Sequence, residues 1–135
     1  MTPRARSVFL ALIVAQAAHS VEEFRYRLYD VFAPAGFVST LVSSDPRRGF
    51  AIANLALVLF GVWCYVARVR PNHRSAAAFA WGWAVLELVN GLGHITFTIE
   101  RGGYFPGVVT APFLLMIAAY LMFVLAAGDA SPGRG

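Results

Sequence analysis

Apolar residues run along this chain in four long stretches, at residues 8–24, 50–66, 76–99 and 108–127. Each is near the roughly 20 residues that a helix needs to cross a hydrocarbon core about 30 Å thick. Polar and turn-forming residues separate them: Asp45-Pro46-Arg47-Arg48, Arg70-Pro71-Asn72-His73-Arg74 and Arg101-Gly102-Gly103. The pattern predicts an all-α bundle of about four transmembrane helices in a single domain, residues 1–127, with a short polar tail at 128–135 that is expected to be disordered. Pro112 falls early in the fourth stretch, where a membrane helix tolerates it or kinks.

The first stretch has a second reading. Arg4 and Arg6, an apolar run and Ala15-Gln16-Ala17 resemble a signal peptide with its cleavage site. Cleavage there would discard a helix that the bundle needs, and the polar residues that follow favour retention. The connection from Arg25 to Arg48 is long for so small a bundle and contains the apolar, Pro- and Gly-broken run 32–38. A lid or binding loop and an interfacial helix explain it equally well.

Composition strengthens the membrane reading. Of 135 residues, 59% are hydrophobic and 13% charged, against about 45–50% and about 25% in soluble domains. Mean hydropathy is +0.63. All 11 basic residues are arginine, and they gather at segment ends, the headgroup level of a bilayer. Nucleic-acid binding would need a basic, aromatic-interleaved face on a soluble fold, and is not expected. The lone Cys64 excludes an internal disulfide and a cysteine-based metal cage. With four spans both termini share one side. The arginine count there is six against five, a small excess that favours cytoplasmic termini.

Against this background a few polar residues are out of place. His19, Glu22 and Glu23 close the first stretch, and Glu87, Asn90 and His94 lie within the third. A charge at the centre of a bilayer costs about 2.5–3.5 kcal/mol even on the mildest scale, so such groups face a bundle interior and usually serve function. At 3.6 residues per turn, Gln16, His19 and Glu23 share a helix face with Glu22 beside them, while Trp83, Glu87, Asn90 and His94 form a second stripe. His19 lies 13 residues beyond Arg6, and Glu87 lies 13 beyond Arg74. At 1.5 Å per residue both are about 20 Å from the arginine level. If the first and third helices touch, two imidazoles and three carboxylates converge on one cavity. Asn54 is expected to bond helix to helix.

Three chemistries fit. Histidine nitrogens and a carboxylate, His19, Glu23 and His94, could hold a divalent metal such as zinc or iron. Crowded carboxylates could instead run acid–base chemistry without metal, or mark a proton or ion path. The candidate catalytic groups are therefore His19, Glu22, Glu23, Glu87 and His94, with Trp83, Asn90 and Tyr104 as candidate substrate contacts. The expected partners are the bilayer and a small lipophilic molecule of isoprenoid, sterol-like or acyl type. The expected activity is that of a membrane isomerase or cyclase, or of a metal-dependent hydrolase. The alternative is a proton-coupled transporter or lipid-binding protein.

His19-Ser20-Val21-Glu22-Glu23 matches the motif of the HXXEE family of small membrane proteins. His94, within Asn90-Gly91-Leu92-Gly93-His94, and Tyr104-Phe105-Pro106-Gly107 resemble the family's further histidine and its Tyr-x-Pro-Gly motif, in the same order. The resemblance implies an integral membrane protein and assigns no reaction. Glu87 lies outside these motifs.

Overall fold

A computed structural model describes residues 1–129. They form α1 (Pro3–Arg25), α2 (Leu28–Val31), α3 (Ala33–Val42), α4 (Pro46–Cys64, continued by a π-helical turn at Tyr65–Val69), α5 (Ala76–Arg101) and α6 (Ala111–Asp129). Four of these, α1, α4 with its π turn, α5 and α6, are long and apolar enough to cross a membrane. The all-helical membrane architecture expected from the hydropathy is what forms.

Local chemistry sets the ends of the helices. Thr2 accepts from the Ala5 amide at 3.1 Å and Pro3 opens the first turn of α1, so this helix begins about a turn before the apolar run. Asp45 caps α4 by accepting from Arg47 and Arg48, and Pro46 follows it. Gly102, in the left-handed region at φ 64°, ends α5. α6 starts at Ala111, later than the residue 108 expected, because the backbone from Gly107 to Thr110 is turned toward α1. It continues through Asp129, and the rest of the expected polar tail lies outside the described residues.

α6 packs against both α1 and α5, and α3 folds back on α4, while α4 meets α5 through side chains, Phe60 and Trp63 against Phe79 and Trp83. The N-terminal amine bonds Asn72 at 2.6 Å, Arg6 bonds the Arg70 carbonyl at 3.0 Å, and Gly128 lies beside Thr2. The N-terminus, the last described turn of α6 and the α4–α5 turn thus meet at one end of the bundle. In that half the core is apolar, with Phe9, Leu12, Ala80, Leu121 and Leu125 buried. Alanines such as Ala80, Ala84 and Ala118 let the helix backbones approach closely. The outer surface is also apolar: Val14, Val21, Leu59, Val89 and Phe123 are all exposed. This is the arrangement expected of a chain solvated by lipid.

The long first connection is ordered as α2 and α3. At 10 residues α3 is about 15 Å long, too short to span a bilayer. Its crossing with α4 is tight, since a Cβ on Gly49 would fall within bonding range of the Ser39 carbonyl. α3 presents Phe37, Leu41 and Val42 outward and Ala35, Val38 and Ser39 to a cavity against α4. It therefore has one exposed apolar side and one side that walls a cavity.

Candidate functional site

The half of the bundle away from the termini holds the polar groups. Glu22 and Glu23 are neighbours on α1 and, separated by about 100°, face different elements. Glu23 turns toward α5. Its Oε1 lies 3.4 Å from His19 Nε2 and 3.1 Å from His94 Nε2, and all three side chains are buried. The two imidazoles meet edge-on, with ring centroids 4.6 Å apart. One donor atom from each of His19, Glu23 and His94 lies within 4.8 Å of the other two. Phe105 closes the far side of His94, with its ring centroid at 5.4 Å.

Glu22 turns toward the segment before α6. Its Oε1 accepts from the Tyr104 hydroxyl at 2.6 Å and from the Gly107 and Val109 amides at 3.2 and 3.1 Å. Its Oε2 accepts from the Thr110 amide at 2.9 Å and the Thr110 hydroxyl at 2.6 Å. This carboxylate is a structural anchor at the N-terminus of α6, where backbone amides and the helix dipole favour an anion. Partial burial, and then the bond to the Glu22 carboxylate, raise the Tyr104 phenol above its ordinary range.

The anchor also sets a tautomer. Thr110 has one hydroxyl proton and gives it to Glu22, so the 2.6 Å contact between His19 Nδ1 and Thr110 Oγ1 must be donated by the imidazole. Nδ1 of His19 carries hydrogen, and Nε2 is left facing Glu23 and His94.

Two of the motifs read from the sequence are now joined by contacts. In the first, His19 and Glu23 face α5 and Glu22 faces the loop. In Tyr104-Phe105-Pro106-Gly107, Tyr104 and Gly107 bond Glu22, and Gly107 packs against both imidazoles. A model of a family described as proteins of unknown function with an HXXEE motif matches residues 10–122. The chain belongs to the HXXEE family. No curated protein and no solved structure matches it.

The loop glycine of this HXXEE protein has a steric reason. Gly107 sits at φ 98°, and a Cβ there would lie 2.6 Å from His94 Nδ1 and Cε1 and 2.7 Å from His19 Cε1. Gly107→Ala is therefore expected to destabilise the protein by about 2–4 kcal/mol, the sum of a strained φ and an overpacked contact. A thermal melt in detergent checks this. An unchanged midpoint would mean that the loop does not rest on the imidazoles.

Glu87 belongs to a second polar layer, nearer the termini. With the Gln16 amide nitrogen turned to Glu87, it donates to both carboxylate oxygens at 2.7 and 3.2 Å, and its carbonyl lies 3.1 Å from the Ser20 hydroxyl, whose proton goes to Asn54 Oδ1 at 2.8 Å. Asn90 donates to Glu87 at 3.4 Å. Asn54 in turn donates to the Phe50 carbonyl at 3.2 Å. Gln16, Ser20, Asn54, Glu87 and Asn90 so connect α1, α4 and α5, and Asn54 has the interhelical bond expected of it. Glu87 is not among the residues that meet at His19, Glu23 and His94.

Trp83 lies 11 residues before His94 on α5, about 16 Å along the helix. It is buried against Phe60 and lines an apolar groove between α4 and α5, away from the imidazoles. Tyr104 meets Glu22, and Asn90 lines the cavity beside His94. Thr110 is not legible from the sequence as part of the site. It falls in the run read as the start of the fourth span, and the only signal is a hydroxyl three residues after Gly107.

Proposed function

We propose that this HXXEE protein is a membrane-embedded enzyme acting on a small lipophilic substrate of isoprenoid, sterol-like or acyl type. The observation that carries this reading is a cavity of about 470 Å³ between α3, α4 and α5. Leu28, Phe32, Val38, Phe50 and Leu57 give it apolar walls, and His94, Asn90 and Asn54 supply polar groups. A largely apolar pocket with a few convergent polar groups is how small-molecule sites are usually built. Leu57 also lines the groove that continues along α4 and α5 past Phe60, Phe79 and Trp83, so an apolar tail has a path away from His94.

His94 is then the group that meets the substrate, and gives or takes a proton there. Glu23 touches both imidazoles and can offset the change in charge, with His19 held behind it by Thr110. Asn90 orients the polar end of the substrate, and Glu22 and Tyr104 keep the loop in place. A transporter would need a polar route to both faces of the membrane. The terminal half of the bundle is instead filled by Phe9, Leu12, Ala80, Leu121 and Leu125, which favours the enzyme.

Incubating the purified protein with isoprenoid, sterol and acyl lipids, with mass spectrometry of the products, tests the reading. Product is expected from the wild type and not from His94→Ala. Ala53→Trp, which fills the cavity wall, is expected to raise KM more than it lowers kcat. Proton flux through proteoliposomes with no product from any of these lipids would sink the enzyme in favour of the transporter.

A further inference from the structure

We propose that His19, Glu23 and His94 bind one divalent transition-metal ion of zinc or ferrous type, with a further coordination position open to the cavity beside His94. This rests on the reading of these three residues as the reacting centre; with an ion in place His94 Nε2 would be a ligand, and the ion, rather than that imidazole, would meet the polar end of the substrate.

The first support is geometric. Around an ion with ligand bonds of about 2.0–2.1 Å, neighbouring donor atoms of a tetrahedron lie about 3.3–3.4 Å apart. Glu23 Oε1 lies 3.4 Å from His19 Nε2 and 3.1 Å from His94 Nε2. These match two of the three edges of such a ligand set, the third pair of donor atoms lying within 4.8 Å, and the ligands come from two different helices.

The second support is independent of those distances. His19 Nε2 is buried and has no hydrogen-bond partner among the described residues. With Nδ1 carrying the hydrogen given to Thr110, the neutral form of the ring turns its Nε2 lone pair toward Glu23 and His94. A buried polar atom left without a partner costs about 1–3 kcal/mol, and a bare imidazole nitrogen aimed at a carboxylate and a second imidazole is relieved by a cation between them.

The surroundings match the outer groups of a metal centre. Metal-binding histidines almost always donate their other N–H to an acceptor that fixes the ring. His19 does so to Thr110, which is itself held twice by Glu22. Two imidazoles and one carboxylate suit zinc or ferrous iron and do not suit magnesium or calcium, which take oxygen ligands. Glu22 has both oxygens engaged by five donors and faces α6. It completes the support of the site without entering it. Three protein ligands leave room for a substrate oxygen, which the ion would polarise.

The full chain, purified in detergent without chelator, is expected to carry about one zinc or iron per molecule. After chelation and dialysis, titration with cobalt(II) should give the visible bands of a site with nitrogen and oxygen donors, and a higher thermal midpoint, as ion binding to the folded state requires. His19→Ala, Glu23→Ala and His94→Ala should each abolish the bands and the midpoint shift. Glu87→Gln, whose carboxylate lies in the other polar layer, should keep both. Folding of each variant is checked by circular dichroism and gel filtration.

Folded wild-type protein that takes up neither zinc, iron nor cobalt would overturn the proposal. So would uptake that persists in the His19→Ala/His94→Ala double variant. Metal-free protein that turns over lipid at the full rate would remove the ion and leave the enzyme. Metal-loaded protein with no turnover of any lipid would leave the metal centre and remove that activity.

Discussion

Glu22→Ala is expected to lower the thermal midpoint by on the order of 10–20 °C, the largest stability loss from any single side chain in this protein. The Glu22 carboxylate accepts from Tyr104, from the amides of Gly107, Val109 and Thr110, and from the Thr110 hydroxyl. Hydrogen bonds to a charged group contribute about 1.5–3 kcal/mol each, and a buried amide left unpaired costs about 1–3 kcal/mol. These terms are not additive, since the five donors share two oxygens, and about 3–5 kcal/mol in total is the expected loss. For a chain of this size each kcal/mol moves the midpoint by about 3–5 °C. Glu22→Gln separates charge from shape: it keeps one acceptor but turns an NH₂ toward the remaining donors, so a loss of about half is expected. Differential scanning fluorimetry in one detergent and one buffer compares the three proteins. A midpoint within a few degrees of wild type in Glu22→Ala would mean that the carboxylate does not anchor the loop.

Glu23→Gln is expected to leave the fold intact and remove nearly all turnover, by about 10³-fold or more in kcat. Glutamine has almost the volume of glutamate, and the Glu23 side chain bonds no backbone group among the described residues, so little packing changes. What is lost is the negative charge between the two imidazoles, at 3.4 Å from His19 and 3.1 Å from His94. Without it His94 loses the group that offsets its charge when it moves a proton. Loss of a group on which positioned acid–base chemistry depends costs about 10²–10⁴-fold; if the three side chains hold an ion, the same substitution removes a ligand instead. Steady-state kinetics on the lipid found by product analysis, with a melting curve on the same sample, checks both halves. Full turnover in a folded Glu23→Gln protein would show that the reaction does not run through this carboxylate. A collapsed fold would mean that Glu23 is an anchor like its neighbour.

The neighbouring glutamates meet different partners, although in the sequence both are only acids at the end of an apolar run. The periodicity places His19 and Glu23 on one face and Glu22 beside them, and it goes no further. Which groove each face meets depends on where α5 and α6 stand. The five candidates expected in one cavity are divided by the packing. His19, Glu23 and His94 meet; Glu22 is drawn off by the loop before α6; Glu87 is held by Gln16 and Asn90 in a separate layer. Trp83, on the same α5 stripe, is too far along the helix to meet the imidazoles.

By itself the sequence determined the four apolar helices, the polar stripes of α1 and α5 and the motifs of the HXXEE family. Hydropathy and a period of 3.6 are properties of one helix, and depth follows from a constant rise per residue. The tertiary structure alone decided the rest. It brought Thr110, 91 positions away in the chain, onto His19, and set Gly107 against both imidazoles. It folded the apolar run at 32–38 into an inner wall for the cavity. The physical reason is that a helix fixes the angle between its side chains, whereas the partner each one finds depends on the neighbouring helices and loops.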